Sequence, residues 1–520
     1  MLQDDHDDDD SIAKNVNLKE VTSSEHNANI LEMLQDGQTS WNKKLFLLEE
    51  EIDGDDDEYI VREEDNLYWL GFFVGRNKEL LEFHIKYLPE AKRKAFMEGF
   101  RQNTSIQELY VSADLGSDGY ESLGYMLRNN NALTNLCFFD YSIDRETSRC
   151  IALMLGKEQY KSLKRLFFCR DDLSAEGIGE IATALRKQPQ LEELKLCGND
   201  IDYDGCVALE NALESWEGAS LRALQLCHND IDDEGLEALV RGMKKCNYLD
   251  TLTLYGNSSI TTAGLTSLST FLQSKHCCLE RLDVGLMNMD CEGVGALGLS
   301  KNKSLKSLSL SENEIGDEGM DALASSLCKC SNLEELHLCE DQTFSAVGLK
   351  SLSKVYQTGM NLKYLNLRDN EIDDEGLKAL TEGMKNCCSG YQTTGPTFLA
   401  TRFNIFSNNL LGSKEAAKLK ILLQHHDMDM IPYFRWKMMF LPLIVDWFER
   451  AKPCLLSITE WFERKRYAAL GPSFFSPDNE EFLFDYLETE LELFKSTVLT
   501  LVYKFVRGMP MLAVGREDEE

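Results

Sequence analysis

The chain has 520 residues with 88 Asp and Glu against 54 Lys and Arg, a formal net charge of −34 at pH 7. That balance excludes nucleic-acid phosphates and anionic membrane surfaces as natural partners and favours a basic protein surface. The 16 cysteines are spread through a long chain whose start lacks the basic and apolar regions of a secretory signal, so reduced thiols inside a cell are expected rather than a disulfide scaffold.

Residues 1–65 are acidic, with runs at Asp7 to Asp10, Glu49 to Glu51 and Asp55 to Glu58. They read as a largely disordered N-terminal segment in which short apolar stretches such as Leu45-Phe46-Leu47-Leu48 can dock locally. Residues 66–104 hold an atypical strand phrase at Leu67, Leu70 and Phe72, then a helix-like stretch through Phe96 and Phe100, and read as an N-terminal cap or atypical first repeat.

Residues 105–424 form an array of about eleven units with a period of about 28 residues. The phrase is apolar, two variable, apolar, one variable, apolar, two variable and often Asn. Clear copies are Leu191, Leu194, Leu196, Asn199, Ile201; Leu221, Leu224, Leu226, Asn229, Ile231; and Leu362, Leu365, Leu367, Asn370, Ile372. Other starts fall at Ile106, Leu133, Leu163, Leu249, Leu279, Leu305 and Leu333. A degenerate last copy at Ala400, Phe403, Ile405, Asn408 and Leu410 follows an insertion that carries Cys387-Cys388-Ser389-Gly390 and is expected to be an exposed loop.

Apolar pairs four residues apart precede the starts, as at Leu239 and Met243 or Leu323 and Leu327. They mark a helical face, whereas the three-then-two step of the phrase is an extended strand with alternate side chains inward. Each unit is therefore strand, loop, helix, and units that pack only on their neighbours make a solenoid. Loops such as NDIDDEG (Asn229 to Gly235) lack the alternate-ligand spacing and closing Glu of an EF-hand. Asp233, Asp317 and Asp374 are expected to cap helical N–H groups, and the repeated Asn to hydrogen-bond backbone where the strand ladder stops.

The period, the LxxLxLxxN strand and the full helix of each unit resemble the ribonuclease-inhibitor-like subclass of leucine-rich repeat proteins. That subclass also contains the activating protein of the Ran GTPase and the sensor arrays of intracellular immune receptors. Over Ile106 to Leu423 the resemblance implies an α/β solenoid, a horseshoe with a parallel sheet on its concave face and helices on its convex side. It implies no single function, because one scaffold carries unrelated tasks. Residues 425–520 do not repeat and resemble a C-terminal segment of uncharacterised algal repeat proteins. Their aromatics, among them Phe434, Trp447, Phe448, Trp461 and Phe462, suit either a helical C-terminal cap or a docking helix. The apolar run Met438 to Phe448 is broken by Asp446 and falls short of the ~20 residues that cross a bilayer, so no membrane span is expected.

Residues two, four and six after each start point out of the concave face. Trp69, Phe73, Tyr110, Phe139 and Phe167 make its N-terminal half aromatic, where a protein-binding hot spot is expected unless tails or loops cover the rings. Acidic positions such as Glu193, Asp283 and Glu335 lean the face toward a basic partner, and serve equally as solubilising charge. Cys169, Cys197 and Cys227 recur at one position, roughly 5 Å apart. A straight row suits tetrahedral zinc poorly, and reduced surface thiols are a simpler account than a metal or redox ladder.

No GxSxG, Walker phosphate loop or HExxH occurs, so no catalytic residue, metal ligand or cofactor is assigned. The expectation is a non-enzymatic, cytoplasmic or nuclear scaffold that binds a basic protein on its concave face. The resemblance keeps two alternatives open. One is a GTPase activator of the Ran-directed type, with a small GTPase as partner and Arg145 and Arg170 as loop candidates. The other is a ribonuclease-inhibitor-like regulator.

Overall fold

Leucines spaced three and then two apart give each repeat one short strand, and the spacing of the phrase sets neighbouring strands in register. The structure, a computed structural model, describes residues 25–36, 44–48, 58–61 and 402–404, and 67–388 apart from 140–142, 158–159, 217–219, 276, 331 and 356–361. Its strands are β1 Lys44–Leu48, β2 Glu58–Ile60, β3 Glu82–Ile85, β4 Glu108–Val111, β5 Asn135–Phe139, β6 Arg165–Cys169, β7 Glu193–Cys197, β8 Ala223–Gln225, β9 Thr251–Thr253, β10 Arg281–Asp283, β11 Ser307–Ser309, β12 Glu335–His337, β13 Tyr364–Asn366 and β14 Arg402–Asn404. They form one 14-stranded sheet in the order β14 to β3, then β1, then β2. Neighbours are parallel, as in β6 with β7 or β12 with β13. Among the described residues the sheet is open, with β2 and β14 at its edges, and its connections carry the helices: the fold is a leucine-rich repeat solenoid.

The core lies between sheet and helices. Leu109, Leu136, Leu166, Leu194, Leu224 and Leu252 are register partners in successive strands and are all at most 1% exposed. Helix Asp233–Met243 shows how the other layer is built. Leu236, Leu239, Val240 and Met243 recur at helical spacing and are buried, while Glu237 and Arg241 of the opposite face form an ion pair at 3.1 Å. Burying one such side chain contributes about 1.5–3 kcal/mol.

Asparagine closes the strand end of five units, at Asn199, Asn229, Asn257, Asn313 and Asn370. Asn229 Nδ2 donates to Leu196 O and Leu226 O, both at 2.9 Å, and its Oδ1 accepts the N–H of Asn199 at 2.9 Å and of Ile201 at 3.1 Å. Buried Asn199, Asn257, Asn313 and Asn370 repeat this bridge between neighbouring repeats. The strand-end carbonyls and the loop N–H groups are thereby satisfied without water.

A second ladder, at the turn from helix to strand, is absent from the expectations above. Asn103 Nδ2 donates to Val74 O at 2.7 Å, and its Oδ1 accepts the N–H groups of Ser105 and Ile106, both at 2.9 Å. Asn302 does the same toward Leu272 O and the N–H of Leu305. Gln188 takes this place with a longer arm, donating to Leu155 O at 2.6 Å. The sequence signal is an Asn three residues before the start, at Asn103, Asn130 and Asn302.

The N-terminal region departs from the sequence reading at helix Glu25–Asp36 and at the cap, while Leu45-Phe46-Leu47-Leu48 docks locally as expected. Within the acidic segment 1–65, helix Glu25–Asp36 and strands β1 and β2 are formed, with Ile30, Leu34, Leu45, Leu47 and Tyr59 buried. Leu67, Leu70 and Phe72 do not form a strand. They belong to helix Tyr68–Arg76 and the turn before it, because Gly71 and Gly75 let this helix lie against helix Glu90–Phe100. A Cβ at Gly71 or Gly99 would overlap the backbone of the opposing helix. The strand of that unit is β3, whose phrase is Leu80, Phe83 and Ile85, all fully buried.

Cys387 and Cys388 end helix Asp374–Cys388 rather than standing in a loop. The last copy contributes β14 through Phe403, in register with Leu365. Ala400, Ile405, Asn408, Leu410 and the block 425–520 lie outside the described residues.

Candidate functional site

Strand pleating that buries one set of side chains presents the alternate set on the open face of the sheet. Register places Phe46, His84, Tyr110, Cys137, Phe167 and Lys195 in one row across β1 and β3 to β7. The row begins as a continuous stack. The Phe46 and His84 rings lie 4.2 Å apart at 20°, and His84 and Tyr110 lie 4.3 Å apart at 3°. Tyr110 meets Phe139 edge-on at 6.1 Å, and the Lys195 ammonium sits 5.9 Å above the Phe167 ring. Phe46, His84, Tyr110, Phe139 and Phe167 are all half-buried.

A charged row runs beside the stack. Glu82 binds Lys44 at 2.7 Å and His84 Nε2 at 2.8 Å. Burial alone would raise the Glu82 carboxyl, but those two partners outweigh it and hold it below its ordinary value. Burial depresses His84 in spite of Glu82, so the ring is held toward its neutral form. The Tyr110 hydroxyl donates to Glu108 at 2.7 Å, and burial together with that bond pushes its ionisation upward.

Farther along, Glu193 lies 3.8 Å from Arg165 and accepts from Gln225 Nε2 at 2.7 Å. Asp283 accepts the Gly285 N–H at 3.1 Å. Burial raises its carboxyl above 3.8, although the Ser309 hydroxyl and the Gly285 N–H oppose the rise. Glu335 is exposed on β12, beside half-buried His337. At the rim Tyr255 donates its hydroxyl to Glu312, a residue held in the left-handed region at φ 55°.

Tyr110, Phe139, Phe167, Glu193, Asp283 and Glu335 thus share the open face. Trp69 and Phe73 do not. Both sit on helix Tyr68–Arg76, where Trp69 is 4% exposed and packs edge-on against Tyr59 at 5.7 Å, while Phe73 packs on Phe72. The aromatic places assigned to them are filled by Phe46 and His84. Their signal was the alternation of KLFLL in β1 and the step Leu80, Phe83, Ile85 around β3.

Arg145 opens a helix and pairs with Glu176 at 3.4 Å, and Arg170 stands in the turn after β6 at φ 59°. None of the thirteen cysteines from Cys137 to Cys339 is in a disulfide, and Cys169 and Cys197 are register partners. Among the described residues no group of His, Cys, Asp and Glu is arranged to hold a metal ion, and no helix is long and apolar enough to cross a membrane.

A leucine-rich repeat family model matches residues 219–240, 301–324 and 360–380. The chain is similar to NACHT, LRR and PYD domains-containing protein 5 of Homo sapiens, 33% identical over 311 residues that make 59% of this chain and 25% of that protein. It is also similar to the ribonuclease inhibitor of Sus scrofa, 27% identical over 308 residues, 58% of this chain and 66% of the inhibitor. The chain therefore spans a quarter of the first relative and just under two thirds of the second. A solved chain of the yeast Rad7 and Elc1 complex aligns over 70% of this chain and 92% of its own length, at 15% identity and a TM-score of 0.35.

Proposed function

We propose that the protein is a non-enzymatic intracellular scaffold that binds a partner protein of basic character on the open face of its sheet. The observation that carries this reading is the stacked row Phe46, His84 and Tyr110, flanked by Glu82 and Glu108 and continued by Phe139 and Phe167. Aromatic rings held by their neighbours lose little freedom on binding, and the carboxylates beside them suit Lys and Arg side chains. The net charge of −34 steers cationic surfaces toward the face.

The test is affinity capture under reducing conditions from native extract. The intact chain is compared with a variant carrying His84→Ala, Tyr110→Ala, Phe139→Ala and Phe167→Ala, whose fold is checked by circular dichroism. Basic proteins held by the intact chain and lost by the variant are the expected outcome. Equal capture by both would remove the reading.

A narrower version takes the partner to be a basic ribonuclease, on the strength of the 27% identity to an inhibitor of that name. Titration against a panel of basic ribonucleases tests it. Failure to inhibit any of them would remove the narrower version and leave the scaffold standing.

A further inference from the structure

The open face carries one feature that neither aromatic stacking nor charge explains, a line of thiols at the ends of β6, β7 and β8. Cys169 and Cys197 are register partners. Cys227 continues the line just past Gln225, where the Gly198 N–H donates to Cys227 O at 2.9 Å as the Arg170 N–H does to Cys197 O at 2.9 Å. Adjacent strands run about 4.8 Å apart, inside the Cα separation that a disulfide spans. All three residues are half-buried and reduced.

We propose that Cys197 and Cys227 form a hydroperoxide-reactive thiol pair, in which Cys197 is oxidised first and Cys227 closes the disulfide. The three thiols differ in ways that select this pair. The Cys197 and Cys227 thiols are close enough to share a hydrogen bond, and that bond, with the nearby Lys195 ammonium, favours one thiolate in the pair in spite of burial; Lys195 lies on the strand and face of Cys197, which places that thiolate there. Burial raises Cys169, so it stays a thiol. Lys195 stands two residues before Cys197 in β7 and so projects from the same face. Other thiols are placed otherwise: Cys206, Cys246 and Cys330 are buried and raised by that burial.

The chemistry balances with one hydroperoxide. The Cys197 thiolate attacks the terminal peroxide oxygen, the S–O bond forms, the O–O bond breaks, and the departing alkoxide or hydroxide takes a proton to leave as alcohol or water. Cys197 is then a sulfenic acid. The Cys227 sulfur attacks it, the S–S bond forms, the S–O bond breaks, and hydroxide leaves with the Cys227 proton as water. Two thiols are oxidised to a disulfide and the peroxide is reduced to an alcohol and water, or to two waters.

The test uses the full chain, reduced and freed of reductant, treated with hydrogen peroxide at pH 7 and mapped by peptide mass spectrometry. The first product expected is a loss of about 2 Da shared by the peptides of Cys197 and Cys227. Cys227→Ser should instead leave a dimedone-trappable sulfenic acid on Cys197, Cys197→Ser should slow the first oxidation about tenfold or more, and Cys169→Ser should change neither. A first bridge between Cys169 and Cys197 would overturn the proposal. So would a Cys197 that reacts no faster than exposed Cys278 in the unmodified chain, a result that needs no variant to fold.

Discussion

Asp233 and Gly264 belong to different repeats, yet the Asp233 carboxylate accepts the Gly264 N–H at 2.8 Å, together with the N–H of Thr261 at 2.7 Å. Asp233 thus serves the helix Thr262–Leu272, while its own helix is capped by Asp232, which accepts the Gly235 N–H at 2.7 Å. Asp317 repeats the arrangement three units later, toward Ser345 and Gly348. Each carboxylate stitches two units together. Asp233→Ala is expected to cost about 1 kcal/mol, the usual loss for a helix cap, and to loosen Gly264 and Leu265. Asp232→Ala should cost about the same and loosen Gly235 and Leu236 instead. Amide hydrogen exchange separates the two, and the account fails if Asp233→Ala frees the amides of its own helix.

The array was legible because its signal is redundant. Leu194, Leu224, Leu252 and their equivalents must all point into one core, so a degenerate copy is corrected by its neighbours. The first turn of a helix carries no such redundancy. DDEG offers two adjacent carboxylates, and only the path of the backbone decides that Asp232 turns back to Gly235 while Asp233 reaches the next repeat. At the cap the three-then-two step of Leu67, Leu70 and Phe72 fits a helix as readily as a strand. Gly71 and Gly99 decide for the helix, because only glycine permits that close an approach. The candidate site inherited the error: its acidic members and three of its five aromatics were placed by good repeats, and Trp69 and Phe73 were not.

That difference is measurable. Trp69→Ala empties a buried site against Tyr59 and is expected to cost about 3–5 kcal/mol of stability. Its affinity for a partner, measured below its melting range, should hardly change. Tyr110→Ala removes a half-buried ring stacked on His84 and should cost less stability while weakening partner binding by about tenfold or more, as a hot-spot ring does. Urea unfolding and binding titration on the same two variants give the comparison. Loss of binding by folded Trp69→Ala would return that residue to the site.

Asp283 makes a sharper case, because it carries its charge on the open face at a cost to the fold. Its carboxyl is raised above 3.8 by burial, so the folded protein binds the proton more tightly than the unfolded chain does. The penalty is fully present above the folded value, shrinks as pH falls through it, and is gone once both states are protonated below the unfolded value. Asp283→Asn keeps the shape and an oxygen to accept the Gly285 N–H, turns its NH2 to the Ser309 oxygen, and removes the charge. It is therefore expected to raise the thermal midpoint at pH 7, with the gain fading toward pH 3. If the face binds a basic partner, the same variant should bind it less tightly, so that stability and affinity move in opposite directions. Thermal melts of wild type and variant at a series of pH values check the first half. A variant less stable than wild type at pH 7 would mean that the Asp283 charge supports the fold instead of burdening it.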